Sequence, residues 1–312
     1  MAQTRPHPAM TMLVSSISGS GRALRVAPDV TGRLRRGGWG VNVRVVTEAE
    51  APAAVARSLD TPFVGALGGD GFVAAVAQGI AGSDTVLVPV PGGRGNDLCR
   101  AIGAGSNPKG RADALVPLGE AGSEAVGIRV RALDGIWVSA VDAGSAEPNR
   151  RLVLGVVSLG LDAWANKLAN ESRLTAGPLS YGWGAVTAPA HFRGAAFRAR
   201  VDGVEHELSG WVFSVSNSGF IGGGVNVVPD SDPFDGALEL FRVDQVPLRT
   251  VIPAVAQVVI RRNAHHPLVH VCSVRELDIL GPEGLTAMAD GDLVGHLPLH
   301  VEVAPGIVRV LV

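Results

Sequence analysis

Two glycine-rich turns, each close behind a short apolar run, constrain the fold of this chain more than any other feature. The first turn is Gly68–Gly71 after Phe63–Leu67, and the second is Gly92–Asp97 after Thr85–Val90. A helix-forming segment follows each turn. Strands that alternate with helices predict a parallel sheet with right-handed crossovers. Ligands of such sheets bind beyond the carboxyl ends of the strands, so we expect both turns to lie at one ligand-binding edge.

A third loop, Ser15–Gly21, follows the apolar segment Met12–Val14 and adds serine hydroxyls to the same predicted edge. Glycine allows left-handed backbone and a close ligand approach, and the free N–H groups at a helix start attract anions. Asp70, inside the first turn, is an acceptor that can orient a nucleotide or hold a metal ion. Taken alone, the first turn fits an ordinary strand-to-helix connection equally well.

Several classes of protein are excluded or disfavoured by the sequence. Neither turn is a P-loop, because no Gly-Lys-Ser/Thr follows, and neither matches the G-x-G-x-x-G dinucleotide fingerprint. The net charge of −2 argues against a nucleic-acid partner. Cys99 and Cys272 lie far apart, which predicts neither a disulfide framework nor a zinc site and fits a reducing cytoplasm. We expect no secretory leader and no segment of the ~20 apolar residues needed to span a bilayer.

The pattern changes from about Val126 to closely spaced β-like runs, among them Leu152–Ser158. Short turns join them, such as Asp202-Gly203, a strong hairpin signal. Helical segments near 162–170 and 248–260 interrupt this series. The predicted fold class is therefore α/β plus β. We predict a parallel α/β nucleotide-binding domain over residues 1–118, an antiparallel β-sandwich domain over 119–312, and a cleft between them. The boundary is expected in the polar, glycine-rich segment 108–124.

The sequences GGDG at 68–71 and PGGRGND at 91–97 resemble the diacylglycerol kinase catalytic domain family, which includes bacterial lipid kinases and sphingosine kinases. The resemblance covers nearly the whole chain. SLGLDA at 158–163 is similar to another block of the family. Further on, Asn217, the glycines 222–224, Pro229 and Asp235-Gly236 follow in the family's order. The Gly-Asn-Asp of the second turn favours the lipid kinases over the related NAD kinases.

The resemblance implies an ATP-dependent kinase that phosphorylates a lipid hydroxyl, such as that of diacylglycerol, at the membrane surface, with ATP and Mg²⁺ bound. It implies a set of nucleotide-binding residues in the three loops and at the end of a neighbouring strand. They are Ser15, Ser16, Ser18, Gly19, Thr47, Gly68, Gly69, Asp70, Gly71, Arg94, Asn96 and Asp97.

The resemblance also implies a magnesium site in the second half, since bacterial members hold a structural magnesium ion in the corresponding block. Its ligands would be Asp232, Asp235 and the carbonyl of Ala237. Carboxylate and carbonyl oxygens suit a hard cation. On the residues alone, 230–233 also fits a capped turn.

The segment Ala289–Asp292 resembles the family's D-G-E motif and implies that Asp290 is the general base. A carboxylate within hydrogen-bond reach can take the proton of a lipid hydroxyl as the phosphoryl group moves. Asp292 would orient this base or assist metal binding, and Asp70 completes the implied catalytic set. Without the resemblance, Asp-Gly-Asp fits a hairpin turn.

Several positions on the nucleotide side depart from the family pattern. Phe72 stands where the family has Thr, Ala75 where it has Glu, Arg94 where it has Thr, and Ser15-Ser16 where it has Asn-Pro. The Arg94 guanidinium can compensate by binding phosphate. These departures motivate a second hypothesis, a nucleotide- or lipid-binding relative with altered or lost activity. An NAD kinase-like enzyme is a third. Homodimerisation, peripheral membrane contact and the identity of the lipid stay open.

Overall fold

The computed structural model describes residues 8–122, 129–141, 150–160, 195–221, 223–247, 249–250, 266–290 and 292–312. The chain divides into two compact units, one of residues 1–133 with 306–312 and one of residues 134–305. The predicted helices near 162–170 and 248–260 lie outside the described residues, apart from the two residues 249–250. The second half of the SLGLDA block (161–163), Gly222 and Gly291 lie outside them as well.

Five helices and seventeen strands are assigned among the described residues. The helices are α1 (Ser18–Arg36), α2 (Pro52–Arg57), α3 (Asp70–Ile80), α4 (Asp97–Ala101) and α5 (Pro108–Ala121). The first nine strands are β1 (Ala9–Ser15), β2 (Gly40–Val46), β3 (Phe63–Gly68), β4 (Val86–Pro91), β5 (Val130–Ala140), β6 (Arg151–Val153), β7 (Val156–Gly160), β8 (Ala195–Val201) and β9 (Val204–Ser216). The others are β10 (Phe220–Ile221), β11 (Val225–Asn226), β12 (Leu238–Asp244), β13 (Val269–Val274), β14 (Glu276–Gly281), β15 (Thr286–Ala289), β16 (Asp292–His296) and β17 (Leu299–Leu311).

The first unit is built on a parallel sheet in the order β2-β1-β3-β4-β17. β1 pairs with both β2 and β3, and β3 pairs with β4. The last residues of β17 complete the sheet, with Arg309 opposite Val86 and Val310 opposite Leu87. The predicted parallel α/β arrangement is confirmed.

Both faces of this sheet are buried, as expected for parallel strands linked by helices. Alternate residues of β1, such as Met12 and Val14, share one hydrophobic cluster with apolar residues of α1 and α5. Leu13, which points to the opposite face, is also fully buried. α1 packs on α5, and α2 packs on α3. The sheet is therefore a rigid base for the loops that leave its strand ends.

The segment 108–124, interpreted from the sequence as the domain boundary, contains α5 as far as Ala121. Asn107 starts this helix, because its side chain accepts hydrogen bonds from the N–H groups of Lys109 (3.0 Å) and Gly110 (3.4 Å). Pro108 occupies the first helical turn, where its missing N–H costs nothing. The division at 118/119 stays a prediction about domains; the compact units differ from it because α5 and the end of β17 both belong to the first.

The second unit is antiparallel and is organised around the long strand β9. Residues 204–210 of β9 pair with β8, residues 212–216 pair with β7, and residues 210–216 pair with β12 on the other side. β15 extends the sheet from β7 and pairs with β16, while β14 joins β8 to β17. The hairpin predicted at Asp202-Gly203 is confirmed, with φ of 45° and 84° at its two residues. The predicted antiparallel β architecture of the second half is confirmed.

One strand predicted from the sequence is interrupted in the structure. The run Leu152–Ser158 forms β6 and β7 with a turn at Leu154 and Gly155 between them. Phe197 and Phe213 stack nearby in the core at 4.7 Å between ring centroids. Val153 of β6 and Val157 of β7 belong to the same hydrophobic cluster. Packing of these two strands therefore holds the turn at 154–155 in place.

Arg111 of α5 is a buried cation that binds the end of β17 and the neighbouring strand β4. Its side chain donates to the carbonyls of Pro89 and Leu311, and the residue is only 5% exposed. Burial lowers the pKa of this guanidinium. The two carbonyl bonds offset part of the cost of burying the charge.

We expect Arg111→Ala to lower the free energy of unfolding by about 3 kcal/mol, because it leaves two buried carbonyls unpaired and opens a cavity. Lys109→Ala on the same helix is the control, since Lys109 is exposed and its ion pair with Asp29 contributes about 1 kcal/mol or less. Chemical denaturation measures both. Equal losses in the two variants would contradict the anchoring role of Arg111.

Candidate active site

The three glycine-rich loops of the first unit lie in direct backbone contact. The Gly92 N–H donates to the Gly68 carbonyl at 2.7 Å. A Cβ on Gly93 would lie 2.4 Å from the Gly69 Cα, and one on Gly19 would lie 2.7 Å from the Gly92 carbonyl oxygen. These glycines are required because the backbones approach more closely than any side chain permits. The structure thus brings together the loops predicted to share one edge of the sheet.

Serine hydroxyls join the first loop to the start of α3. The Ser15 hydroxyl accepts from the Ser18 N–H (3.1 Å) and from the Ser18 hydroxyl (2.7 Å), and the Gly69 N–H donates to the Ser18 hydroxyl (3.2 Å). Ser15 is buried. The Ser16 N–H donates to the carbonyl of Val46 at 3.1 Å. Ser15 and Ser18 therefore hold the loops to one another.

Asp70 and Asn96 build the second glycine turn. The Asp70 carboxylate accepts the N–H groups of Asn96 (2.7 Å) and Leu98 (3.1 Å). The Asn96 side chain accepts from the Gly93 N–H (2.9 Å) and donates to the Gly93 carbonyl (3.1 Å). Asn96 is buried and has a left-handed backbone, with φ 58°, which asparagine tolerates better than most residues. Both residues were predicted to bind nucleotide, and the structure gives each a role in holding the loop.

The remaining predicted nucleotide residues lie around these loops. The exposed Arg94 donates to the Ser20 hydroxyl at 3.1 Å. Asp97 pairs with Arg100 at 3.2 Å. Thr47, at the end of β2, donates both its N–H and its hydroxyl to Glu50, each at 2.9 Å. The Thr47 hydroxyl proton is therefore already used within the chain.

Phe72, the departure from the family pattern next to Gly71, lies with its ring against Gly68. A Cβ on Gly68 would lie 2.4 Å from Phe72 Cδ1. The glycine thus makes room for the ring at the end of β3. α3 starts with Gly69 as its N-cap and no side-chain cap hydrogen bond, so the first-turn N–H groups of this 11-residue helix favour an anion.

Asp290 of the second unit follows β15 in a left-handed conformation, with φ 50°. Its carboxylate accepts from the N–H groups of Leu154 (3.4 Å) and Val156 (3.3 Å). A Cβ on Gly155 would lie 2.2 Å from Asp290 Oδ1. The carboxylate therefore fits against the turn between β6 and β7 only because residue 155 has no side chain.

Burial raises the pKa of Asp290 from 3.8 to about 6, against the opposing effects of the backbone N–H groups and of the Arg151 charge. Since this pKa is higher in the folded than in the unfolded chain, the folded state binds more protons between pH 4 and 6. The contribution of Asp290 to the free energy of unfolding therefore falls as the pH rises through that window. A carboxyl with a pKa near 6 is suited to accept a proton at neutral pH.

Asp292 lies on the surface and interacts with Arg151 rather than with the Asp290 carboxylate. Its Oδ2 is 3.1 Å from Arg151 Nη2, and the same guanidinium donates to the Leu293 carbonyl at 2.9 Å. Arg151 in turn lowers the pKa of Asp290. Asp292 therefore holds the cation that faces Asp290.

The predicted magnesium ligands lie on one loop. Asp232 and Asp235 are exposed, the Asp235 N–H donates to the Asp232 carbonyl (3.3 Å), and Asp235 Oδ1 accepts from the Ala237 N–H (2.9 Å). Burial raises the pKa of the neighbouring Glu239, and the charges of Asp235 and Asp232 raise it further. This excess of negative charge and hard oxygen donors fits a divalent cation. No group of three or more His, Cys, Asp or Glu side chains in the described ranges could hold an ion, so two carboxylates would need carbonyl or water ligands as well.

Three residues around Asp290 and its neighbouring loop were missed by the sequence analysis: Asp134, Arg151 and Gly155. The only local signal was the glycine inside a predicted strand, since an isolated strand glycine can mark a close approach of another group. Asp134 accepts the Gly236 N–H at 2.7 Å. Such contacts join residues more than a hundred positions apart and leave no local pattern.

Comparisons with known proteins cover both halves of the chain. The family model for the diacylglycerol kinase catalytic domain matches residues 9–125. The model described as the YegS C-terminal NAD kinase beta sandwich-like domain matches residues 155–312. A protein named diacylglycerol kinase from Mycobacterium tuberculosis (strain CDC 1551 / Oshkosh) is 28% identical over 97% of this chain and 94% of its own length. A crystal structure of a diacylglycerol kinase from Bacillus anthracis str. Sterne has the same fold, with a TM-score of 0.72 at 17% identity over 98% of this chain and 96% of that one.

We expect Gly93→Ala to lower the free energy of unfolding by about 3 kcal/mol or more, because its Cβ would meet backbone rather than a flexible side chain. Gly32→Ala is the control. Its Cβ would lie 3.5 Å from a flexible Arg36 side chain, and alanine stabilises a helix interior by about 1 kcal/mol relative to glycine. Thermal unfolding measures both variants, and a stable Gly93→Ala protein would show that the loops are not in backbone contact.

Proposed function

This chain belongs to the diacylglycerol kinase family, and from that premise we propose that it transfers the γ-phosphoryl group of ATP to a lipid hydroxyl. Diacylglycerol is the first acceptor to test, because it is the substrate in the name of the curated relative. No helix in the described part of the chain is long and apolar enough to cross a bilayer. In this proposal the enzyme meets its lipid at the membrane surface.

The observation that carries the proposal is the environment of Asp290. A lipid hydroxyl is a weak nucleophile until its proton has a place to go. The Asp290 carboxyl, with a pKa of about 6, is mostly ionised at pH 7 and yet basic enough to take that proton. The N–H groups of Leu154 and Val156 hold its two oxygens, so the base is oriented before substrate arrives. Such preorganisation lowers the barrier to proton transfer.

On the nucleotide side, the proposed phosphate site is the cradle formed by the three glycine loops. The features that fit a phosphate chain are the close-packed glycines, the uncapped start of α3 and the exposed Arg94 guanidinium. Asp70 keeps the second turn in place around the phosphates through Asn96 and Leu98. Its direct action on a metal ion stays a prediction.

For Mg²⁺, Asp232, Asp235 and the carbonyl of Ala237 are the residues that would hold a structural ion. When bound there, the ion would neutralise the charges of Asp235 and Asp232, which add to the effect of burial in raising the pKa of Glu239. Mg²⁺ carried by ATP would offset phosphate charge during transfer.

We expect Asp290→Asn to lower kcat for transfer from γ-labelled ATP to diacylglycerol in mixed micelles by about 100-fold or more, with little change in KM for ATP, because a general base acts in the transition state. Asp84→Asn, a fully exposed carboxylate in the first unit, is the matched control and should keep the parent rate.

The transfer assay, together with calorimetry of Mg-ATP binding, separates the other hypotheses. An Asp290→Asn protein as fast as the parent would contradict the role of Asp290. Transfer to NAD but to no lipid would favour the NAD kinase-like enzyme. Binding of Mg-ATP in calorimetry without transfer to diacylglycerol, sphingosine or NAD would favour the non-catalytic relative that Phe72 and Ala75 suggest.

A further inference from the structure

Asn217, just after β9, is a buried amide with an unusual set of partners. Its Nδ2 donates to the carbonyls of Asp134 (3.0 Å) and Leu154 (3.1 Å), and its own N–H donates to the carbonyl of Gly155 (2.9 Å). The residue is 1% exposed. Two of its three bonds therefore fix consecutive carbonyls of the turn between β6 and β7.

The opposite side of the same turn holds the proposed base. The N–H groups of Leu154 and Val156 point to the Asp290 carboxylate, while the carbonyls of Leu154 and Gly155 point to Asn217. The peptide planes of this turn are thus held from both sides. From this juxtaposition we propose that Asn217 is a positioning residue, which orients the turn so that its N–H groups meet Asp290.

The Asn217 oxygen supports this assignment. Oδ1 is buried and has no hydrogen-bond partner among the described residues. An unpaired buried acceptor costs free energy. The two hydrogen bonds that Nδ2 donates to the carbonyls of Asp134 and Leu154 offset this cost. Aspartate, which is almost isosteric, would place an acceptor against both carbonyls and repel them.

Asp134, the third residue whose backbone carbonyl Asn217 contacts, is also held in place. Asp134, whose carbonyl accepts from Asn217, donates its N–H to the Pro233 carbonyl (2.9 Å) and accepts the Gly236 N–H (2.7 Å). Around Asp290, the charged group that faces its carboxylate is Arg151, which is paired with Asp292. Among the described residues, the hydrogen bonds of Asn217 go to Asp134, Leu154 and Gly155, and none goes to Asp290 or Arg151. Asn217 therefore acts on Asp290 through the backbone of the turn.

This inference rests on the proposed function only for its kinetic test. We expect Asn217→Ala and Asn217→Asp to lower kcat by about 10-fold or more with KM for ATP unchanged, since displacement of a reacting group by about 1 Å can cost about 100-fold. In the Asp290→Asn background, Asn217→Ala should lower kcat no further, because it has no base left to position.

Val301→Ala is the matched control. Val301 is fully buried in the same core and lies on β17 opposite Leu277, away from the turn. This variant loses stability but should keep the parent kcat. An additive loss in the double variant, or an equal loss of kcat in Val301→Ala, would overturn the positioning role and leave Asn217 as a purely structural residue.

Amide hydrogen exchange provides a readout that needs no kinase activity. Exchange at Leu154 and Val156 should become faster in Asn217→Ala and stay as in the parent in Val301→Ala. Unchanged exchange in Asn217→Ala would overturn the inference even if the protein is a kinase. Faster exchange in Asn217→Ala, together with a parent protein that transfers no phosphate, would contradict the proposed function and support the positioning role of Asn217.

Discussion

Residue 155 has no side chain, and the arrangement of the second unit's candidate site depends on that absence. Any Cβ there would lie 2.2 Å from the Asp290 carboxylate. Because the position is open, the carboxyl lies against the backbone, where it accepts two N–H groups and is half-buried. Burial then raises its pKa to about 6. The turn between β6 and β7 thus gives Asp290 the proton affinity of a base.

Asp70 and Asp290 stand in similar sequence settings, each followed by a glycine, and have different structural roles. Asp70 accepts N–H groups from Asn96 and Leu98 and joins the first glycine turn to the second. Asp290 lies in an environment that favours its protonated form. The difference follows from where each carboxylate is placed, beside the start of a helix or against a shielded turn.

The sequence predicts the parallel α/β arrangement of the first unit well, because strand, glycine and helix alternate with short spacing. It also predicts the Asp202-Gly203 hairpin, because the turn residues tolerate left-handed backbone. The segment that forms α5 was interpreted as a domain boundary, because its glycines and prolines obscured the helix. The structure shows that the helix starts at Pro108, after the Asn107 cap.

The candidate site is less predictable than the fold. The motif residues Asp290 and Asp70 are visible because glycines mark them, yet their partners are not. Asp290 meets Leu154 and Val156 more than 130 positions earlier in the chain, and Asn217 reaches Leu154 from 63 positions away. Such pairs depend on the register of β7, β9 and β15, which local patterns do not specify.

The pH titration of the Asp290 side-chain carboxyl carbon tests most directly whether Asp290 is the proton acceptor. The titration is followed by NMR, and the signal is assigned by its loss in Asp290→Asn. The account predicts a midpoint near pH 6, with the protonated form below it and the ionised form above it, so that the base becomes available as the pH approaches 7. A midpoint at the ordinary aspartate value of about 4 would contradict the shielded site and, with it, the role of Asp290 as the poised proton acceptor.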